Sequence, residues 1–131
     1  MIFYAENENF IVGVKEMGAE LTSLKSKKTG IEYIWNGNVD IWYGQSPILF
    51  PIIGRLLDDK YRYNGNEYTM AKHGIVRKKP FTLISKTADT LVFQQSSDAD
   101  SLKSYPFEFD LIVEFKLTDN GLSVTHTAVN K

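Results

Sequence analysis

Over residues 109–117 Phe109, Leu111, Val113, Phe115 and Leu117 on one side alternate with Asp110, Ile112, Glu114 and Lys116 on the other. A period of two is the signature of a strand with one buried face, because successive side chains point to opposite sides of a sheet. Asp119-Asn120-Gly121 then supplies residues that tolerate positive φ, and Leu122, Val124, His126 and Ala128 resume the alternation. The combination predicts a β-hairpin. A second hairpin is predicted from residues 81–84 through Thr87-Ala88-Asp89 into residues 91–93, and a smaller one turns at Asn64-Gly65 within residues 61–68. Residues 10–14 and 19–24 read as adjacent strands, and residues 30–35 as another.

Two stretches break this meander. Residues 36–60 carry Gly37, Gly44, Pro47, Pro51 and Gly54 and hold no period, which predicts an ordered irregular loop. Residues 96–106 form a polar connector, with room for one helical turn before Pro106. With no internal repeat or linker, the expected fold is all-β: an antiparallel β-sandwich in which residues 1–131 form a single domain. The last predicted strand runs almost to Lys131 with no polar tail, so the domain is expected to be truncated.

Charge removes several classes of function. Fifteen basic residues against sixteen acidic ones leave a net charge of −1, which gives no field for gathering nucleic acid or an anionic membrane. The absence of cysteine excludes disulfides, thiolate metal sites and a Cys nucleophile. The first residues show no basic region followed by an apolar stretch, and no apolar run reaches bilayer-spanning length. A cytoplasmic location is the expectation.

Candidate chemistry concentrates in two segments. Gln45-Ser46-Pro47-Ile48-Leu49-Phe50-Pro51-Ile52-Ile53-Gly54-Arg55-Leu56 is unusually apolar for a surface loop and ends in Gly-Arg. Either it is a stiff segment that delivers Arg55, whose planar fork suits adjacent hydroxyls or a phosphate, or it packs over the core while Arg55 pairs with a surface carboxylate. In Lys72-His73-Gly74-Ile75-Val76-Arg77, His73 stands beside a glycine that leaves room for a ligand. An imidazole titrating near neutrality can exchange protons with a substrate oxygen, although a loop histidine of this kind is more often satisfied by a backbone carbonyl. His126, mid-strand, reads as structural. Trp35, Trp42 and Tyr43 offer faces that stack on sugars, yet aromatics in a sandwich more often belong to the core. Arg77-Lys78-Lys79 reads as a solvated turn or as a contact to a sugar phosphate. Asp58-Asp59 lacks companions at metal-ligand spacing, so no metal is expected.

Taken in order, Phe50-Pro51-Ile52-Ile53-Gly54-Arg55, Tyr61, Tyr63-Asn64-Gly65-Asn66-Glu67-Tyr68, His73-Gly74-Ile75-Val76-Arg77 and Phe81 resemble the aldose 1-epimerase family, most closely its LacX-like branch. Gly18-Ala19-Glu20-Leu21-Thr22-Ser23-Leu24, Trp35, Tyr105-Pro106-Phe107 and Leu122-Ser123-Val124 extend the resemblance over essentially the whole chain. It implies the N-terminal portion of a galactose mutarotase-like supersandwich, acting without cofactor or metal on the anomers of a small-molecule sugar or sugar phosphate. By resemblance, Arg55 binds sugar hydroxyls, His73 positions the substrate and supports ring opening, and Arg77 belongs to the same binding set. The family's second histidine, the catalytic acid, and its late glutamate, the base, have no match in the chain, so residues 1–131 alone are expected to be inactive. A non-catalytic carbohydrate-binding module, and a structural β domain in which the motifs merely pack, are the alternatives. A fragment is also expected to self-associate, with the apolar face of residues 109–117 part of the surface left bare.

Overall fold

In the computed structural model, which describes residues 1–131, the alternating segments become nine strands in three antiparallel groups. Strands β1 (Ile2–Glu6), β2 (Phe10–Lys15) and β3 (Glu20–Ser26) form one sheet in that order. Strands β4 (Lys60–Tyr63) and β5 (Asn66–Thr69) make a separate hairpin around Asn64-Gly65. Strands β6 (Thr82–Lys86), β7 (Thr90–Ser96), β8 (Phe109–Thr118) and β9 (Gly121–Asn130) form the second sheet, again in chain order. One helical turn, α1 (Ser101–Ser104), lies in the connector before Pro106. No helix is long and apolar enough to cross a membrane.

The two larger sheets face each other across one core. From the first come Ala5, Val12 and Val14, and from the second Leu91, Phe93 and the whole inner row of β8, all at most 4% exposed. Phe3 of β1 meets Phe93 of β7 edge-on, with ring centroids 5.7 Å apart. Each such side chain contributes about 1.5–3 kcal/mol through burial, so the facing rows decide the architecture. The expected antiparallel sandwich is what forms.

Two local expectations need correction, and one strand was not foreseen. Residues 30–35 do not form a strand; a single bridge pairs Lys25 with Glu32. The Glu32 carboxylate accepts hydrogen bonds from the backbone of Leu24 (2.7 Å) and Ile34 (3.0 Å), donors that a strand ladder would need. Strand β1 carried no alternating signal because Ile2 and Tyr4, on its outer face, are as apolar as Phe3 and Ala5 on its inner one. The inner face of β8 is not bare: its five apolar residues are 0–3% exposed. The open element is β9, which pairs with β8 along its full length yet leaves Val124 and Val129 each 40% exposed.

Candidate functional site

The irregular loop that ends in Arg55 is fixed from below. Glu20, at the start of β3, is 9% exposed, and its Oε1 accepts the backbone N–H of Gln45 at 2.7 Å and of Ser46 at 3.2 Å. Its other oxygen pairs with Lys15 Nζ at 2.7 Å. Burial by itself raises the Glu20 pKa, but the Lys15 hydrogen bond and the two backbone donors outweigh it and hold the carboxyl below its ordinary value. Gln45 Nε2 donates to the carbonyls of Thr22 (3.0 Å) and Trp35 (2.6 Å). Farther along, Ile48 is buried and the Phe50 ring packs against Phe109 at 5.1 Å and Tyr105 at 6.0 Å. The apolar residues of the loop thus grip the core, while its far end, including Ile53 and Arg55, stays in solvent.

The second motif locks onto the first. His73 and Gly74 are consecutive left-handed residues, with φ of 71° and 82°. The amide of His73 donates to Gly54 O at 2.9 Å, and that of Ile75 to Phe50 O at 2.8 Å. Only glycine allows this approach, because a Cβ on Gly74 would stand 1.9 Å from Phe50 O. For His73 the left-handed conformation costs on the order of 1–2 kcal/mol, and strain of this kind clusters at functional sites. Its Nδ1 contacts the carbonyl of Ile53. A carbonyl only accepts, so Nδ1 carries the proton, and in the neutral ring Nε2 is left as an acceptor without a partner in the fold.

Arg55 projects from the same junction. Its Nε lies 3.0 Å from Asp59 Oδ1. That oxygen is closed off from solvent but accepts no properly aligned hydrogen bond, so the contact is an off-axis ion pair. With the two side chains 64% and 39% exposed, such a pair contributes about 0–1 kcal/mol at most and does not sequester the guanidinium. Both structural roles foreseen for these residues, a surface carboxylate for Arg55 and a carbonyl for His73, are therefore present. So is the convergence of the two loops.

A cavity of about 430 Å³ opens beside them, walled by Arg55, Lys72, Gly74, Ile75, Arg77 and Lys78 among others. His73 itself is not in that wall, but its neighbours Lys72 and Gly74 are. Arg77 and Lys78 also line a smaller adjoining space of about 70 Å³ with Glu20, Trp42 and Tyr43. Trp42 and Tyr43 are 49% and 68% exposed, and Trp35 39%, so these aromatics are not core residues. His126 stands apart, in an apolar groove beside β9 with Ile48, Phe115 and Val124. No group of three or more His, Asp or Glu side chains is close enough to share a metal ion. Sequence reasoning drew Glu20 only into a motif match and passed over Lys72; a lone carboxylate after Gly18-Ala19 gave no sign that it would anchor a loop 25 residues away.

Comparison with known proteins identifies the family and the fold. The sequence profile of the family described as aldose 1-epimerase matches residues 2–131. The plasmid-encoded protein LacX of Lactococcus lactis subsp. lactis is 38% identical over 129 residues, which is 95% of this chain and 42% of LacX. A galactose mutarotase-like protein from Lactobacillus casei superposes with a TM-score of 0.96 at 41% identity, covering 99% of this chain and 44% of that one. A galactose mutarotase related enzyme from Lactobacillus acidophilus gives 0.97 at 36% identity, covering 100% and 44%. The chain thus spans less than half the length of the relatives it matches.

Proposed function

The chain belongs to the aldose 1-epimerase family, and from that premise we propose that it forms the substrate-binding part of an isomerase that interconverts the α and β anomers of an aldose. The observation that carries this reading is the mutual locking of the two loops that hold Arg55 and His73, with His73 kept in a left-handed conformation by bonds from its own loop to Gly54 and Phe50. Strain maintained at that cost is characteristic of residues whose orientation matters.

Anomer exchange requires a base to take the proton of the C1 hydroxyl while an acid protonates the ring oxygen. The bond from C1 to the ring oxygen breaks, C1 rotates, and the ring recloses with the opposite configuration. Arg55 would bind hydroxyls through the Nη groups that its contact with Asp59 leaves free. His73, next to the cavity wall rather than in it, would orient the sugar through Nε2 and steady the opening ring, while Arg77 contributes to the wall itself. The proton-transferring acid and base, each worth about 10²–10⁴ in rate, are assigned to residues outside 1–131.

A carbohydrate-binding module without catalysis is the second reading, supported by the exposed rings of Trp42 and Tyr43 beside Arg77, faces suited to a sugar. Site variants in the product of the complete coding region separate the two. Arg55→Ala and His73→Ala should each lower kcat/KM for anomer exchange by roughly ten- to a hundredfold, the worth of a charged hydrogen bond. Unchanged kcat/KM in both variants would make these residues structural and refute the assignment; sugar binding with no exchange at all would favour the module.

A further inference from the structure

One carboxylate oxygen stands in an unfavourable place. Among residues that are not fully exposed, Asp59 Oδ1 is the one side-chain polar atom sealed from solvent without an aligned hydrogen bond. An ionised oxygen there has given up its hydration, and folds normally compensate such a loss with a donor. The one cation within ion-pair reach is Arg55, whose Nε stands 3.0 Å away with its N–H off the line to the oxygen. The attraction exists while the hydrogen bond is only approached.

The backbone around this pair is fixed more firmly than the pair itself. Asp58 and Asp59 are consecutive left-handed residues, with φ of 54° and 57°. Aspartate visits that region more readily than most residues, so the angles alone signify little. What matters is that Asp59 is tied on both sides. Its N–H donates to Leu56 O at 3.0 Å, and its carbonyl accepts from the N–H of buried Met70 at 2.8 Å, which carries the β4–β5 pairing one step past Lys60 and Thr69. Arg55 is held from the opposite direction, because the amide of His73 donates to the carbonyl of the preceding residue, Gly54, at 2.9 Å. Two anchored backbones therefore bring guanidinium and carboxylate together, and the Arg55 side chain, 64% exposed, is the part left to swing.

A guanidinium carries one donor on Nε and the rest on its Nη groups. A carboxylate at Nε takes the donor that faces back along the side chain and leaves the terminal pair for a ligand. Hydrogen bonds that serve catalysis commonly tighten as substrate is drawn in. We propose that Asp59 is the positioning residue for Arg55: sugar hydroxyls that engage the Nη groups bring Nε–H into line with Oδ1, so that binding completes the hydrogen bond. This rests on the epimerase reading and adds to it a residue that touches no substrate.

Anomer exchange by the complete gene product, followed by polarimetry with D-glucose, D-galactose and their 6-phosphates, tests it. Asp59→Ala should lower kcat/KM about tenfold, the lower end of what a charge-assisted hydrogen bond is worth. The loss should lie in a raised KM rather than in kcat, because the contact serves binding. Asp59→Asn, which keeps the shape and loses the charge, should lower kcat/KM as well. Asp58→Asn removes the same charge one residue away, from an exposed side chain without an ion pair, and should stay within about twofold. In an Arg55→Ala background, Asp59→Ala should cost nothing further, since its effect passes through Arg55. Parent or higher kcat/KM in Asp59→Ala, or an equal loss in both backgrounds, would overturn the proposal and leave the epimerase reading standing. Should Asp59→Ala fail to fold, parent kcat/KM in Asp59→Asn would overturn it. An Arg55→Ala enzyme as active as its parent would remove the role given to Arg55 and this proposal with it.

Discussion

Replacing Gly74 with alanine should strike the junction that holds the site together. A Cβ added there would sit 1.9 Å from Phe50 O and 2.4 Å from the carbonyl carbon behind it, both backbone atoms that no rotamer change can move. Three costs follow. Holding alanine at φ of 82° is worth about 1–2 kcal/mol, and relieving the overlap typically costs a further 1–3 kcal/mol. Separation of the loops also weakens the bond from Ile75 N to Phe50 O, now 2.8 Å, a loss of about 1 kcal/mol. Together these predict a destabilisation of about 3–6 kcal/mol, a large share of the roughly 5–15 kcal/mol that holds a domain folded. Gly65→Ala is the control: φ is 77°, but nothing lies within 4 Å of the new methyl, so only the conformational cost of about 1–2 kcal/mol remains. Urea unfolding of both variants beside the parent reads the difference directly. If Gly74→Ala cost no more than Gly65→Ala, the two motif loops would not be clamped at this point.

Three further outcomes are expected. Glu20→Gln should destabilise the fold by about 1–3 kcal/mol at neutral pH, since it removes the ion pair with Lys15 and weakens two backbone bonds. Because the folded pKa of Glu20 is lowered, its contribution is complete above the reference value of 4.5 and fades as pH falls through the lower folded value; a gap between variant and parent that failed to narrow in urea titrations below about pH 4.5 would contradict the role given to Glu20. Residues 1–131 expressed alone should self-associate, because β9 is a ten-residue edge strand without a single Asp, Glu, Lys or Arg to deter pairing. Sedimentation should show dimers or larger species burying about 1,000 Å² or more, reduced by Thr125→Lys; a clean monomer in the parent chain would refute this.

How much of this was legible beforehand differs from element to element. The β8–β9 hairpin could be read because five apolar residues alternate and Asp119-Asn120-Gly121 marks the turn. Strand β1 could not, since apolar residues on both faces erase the period. Residues 30–35 misled because propensity does not register that Glu32 captures backbone donors from its neighbours. At the site, Arg55 and His73 stood out through their glycine and proline surroundings, but nothing local indicated that Gly74 would meet Phe50. The exposure of Trp42 and Tyr43 was likewise hidden, because burial depends on what packs against a loop rather than on the loop's own residues.

The central claim is anomer exchange, and polarimetry of freshly dissolved D-glucose, D-galactose and their 6-phosphates tests it most directly. The product of the complete coding region should accelerate the approach to anomeric equilibrium well beyond the buffer rate. On the proposed assignment of the proton-transferring acid and base, which together contribute several orders of magnitude, to residues outside 1–131, the segment 1–131 alone should leave the rate at background. Failure of the complete product to accelerate exchange of any of these sugars would contradict the account, as would full activity from residues 1–131 by themselves.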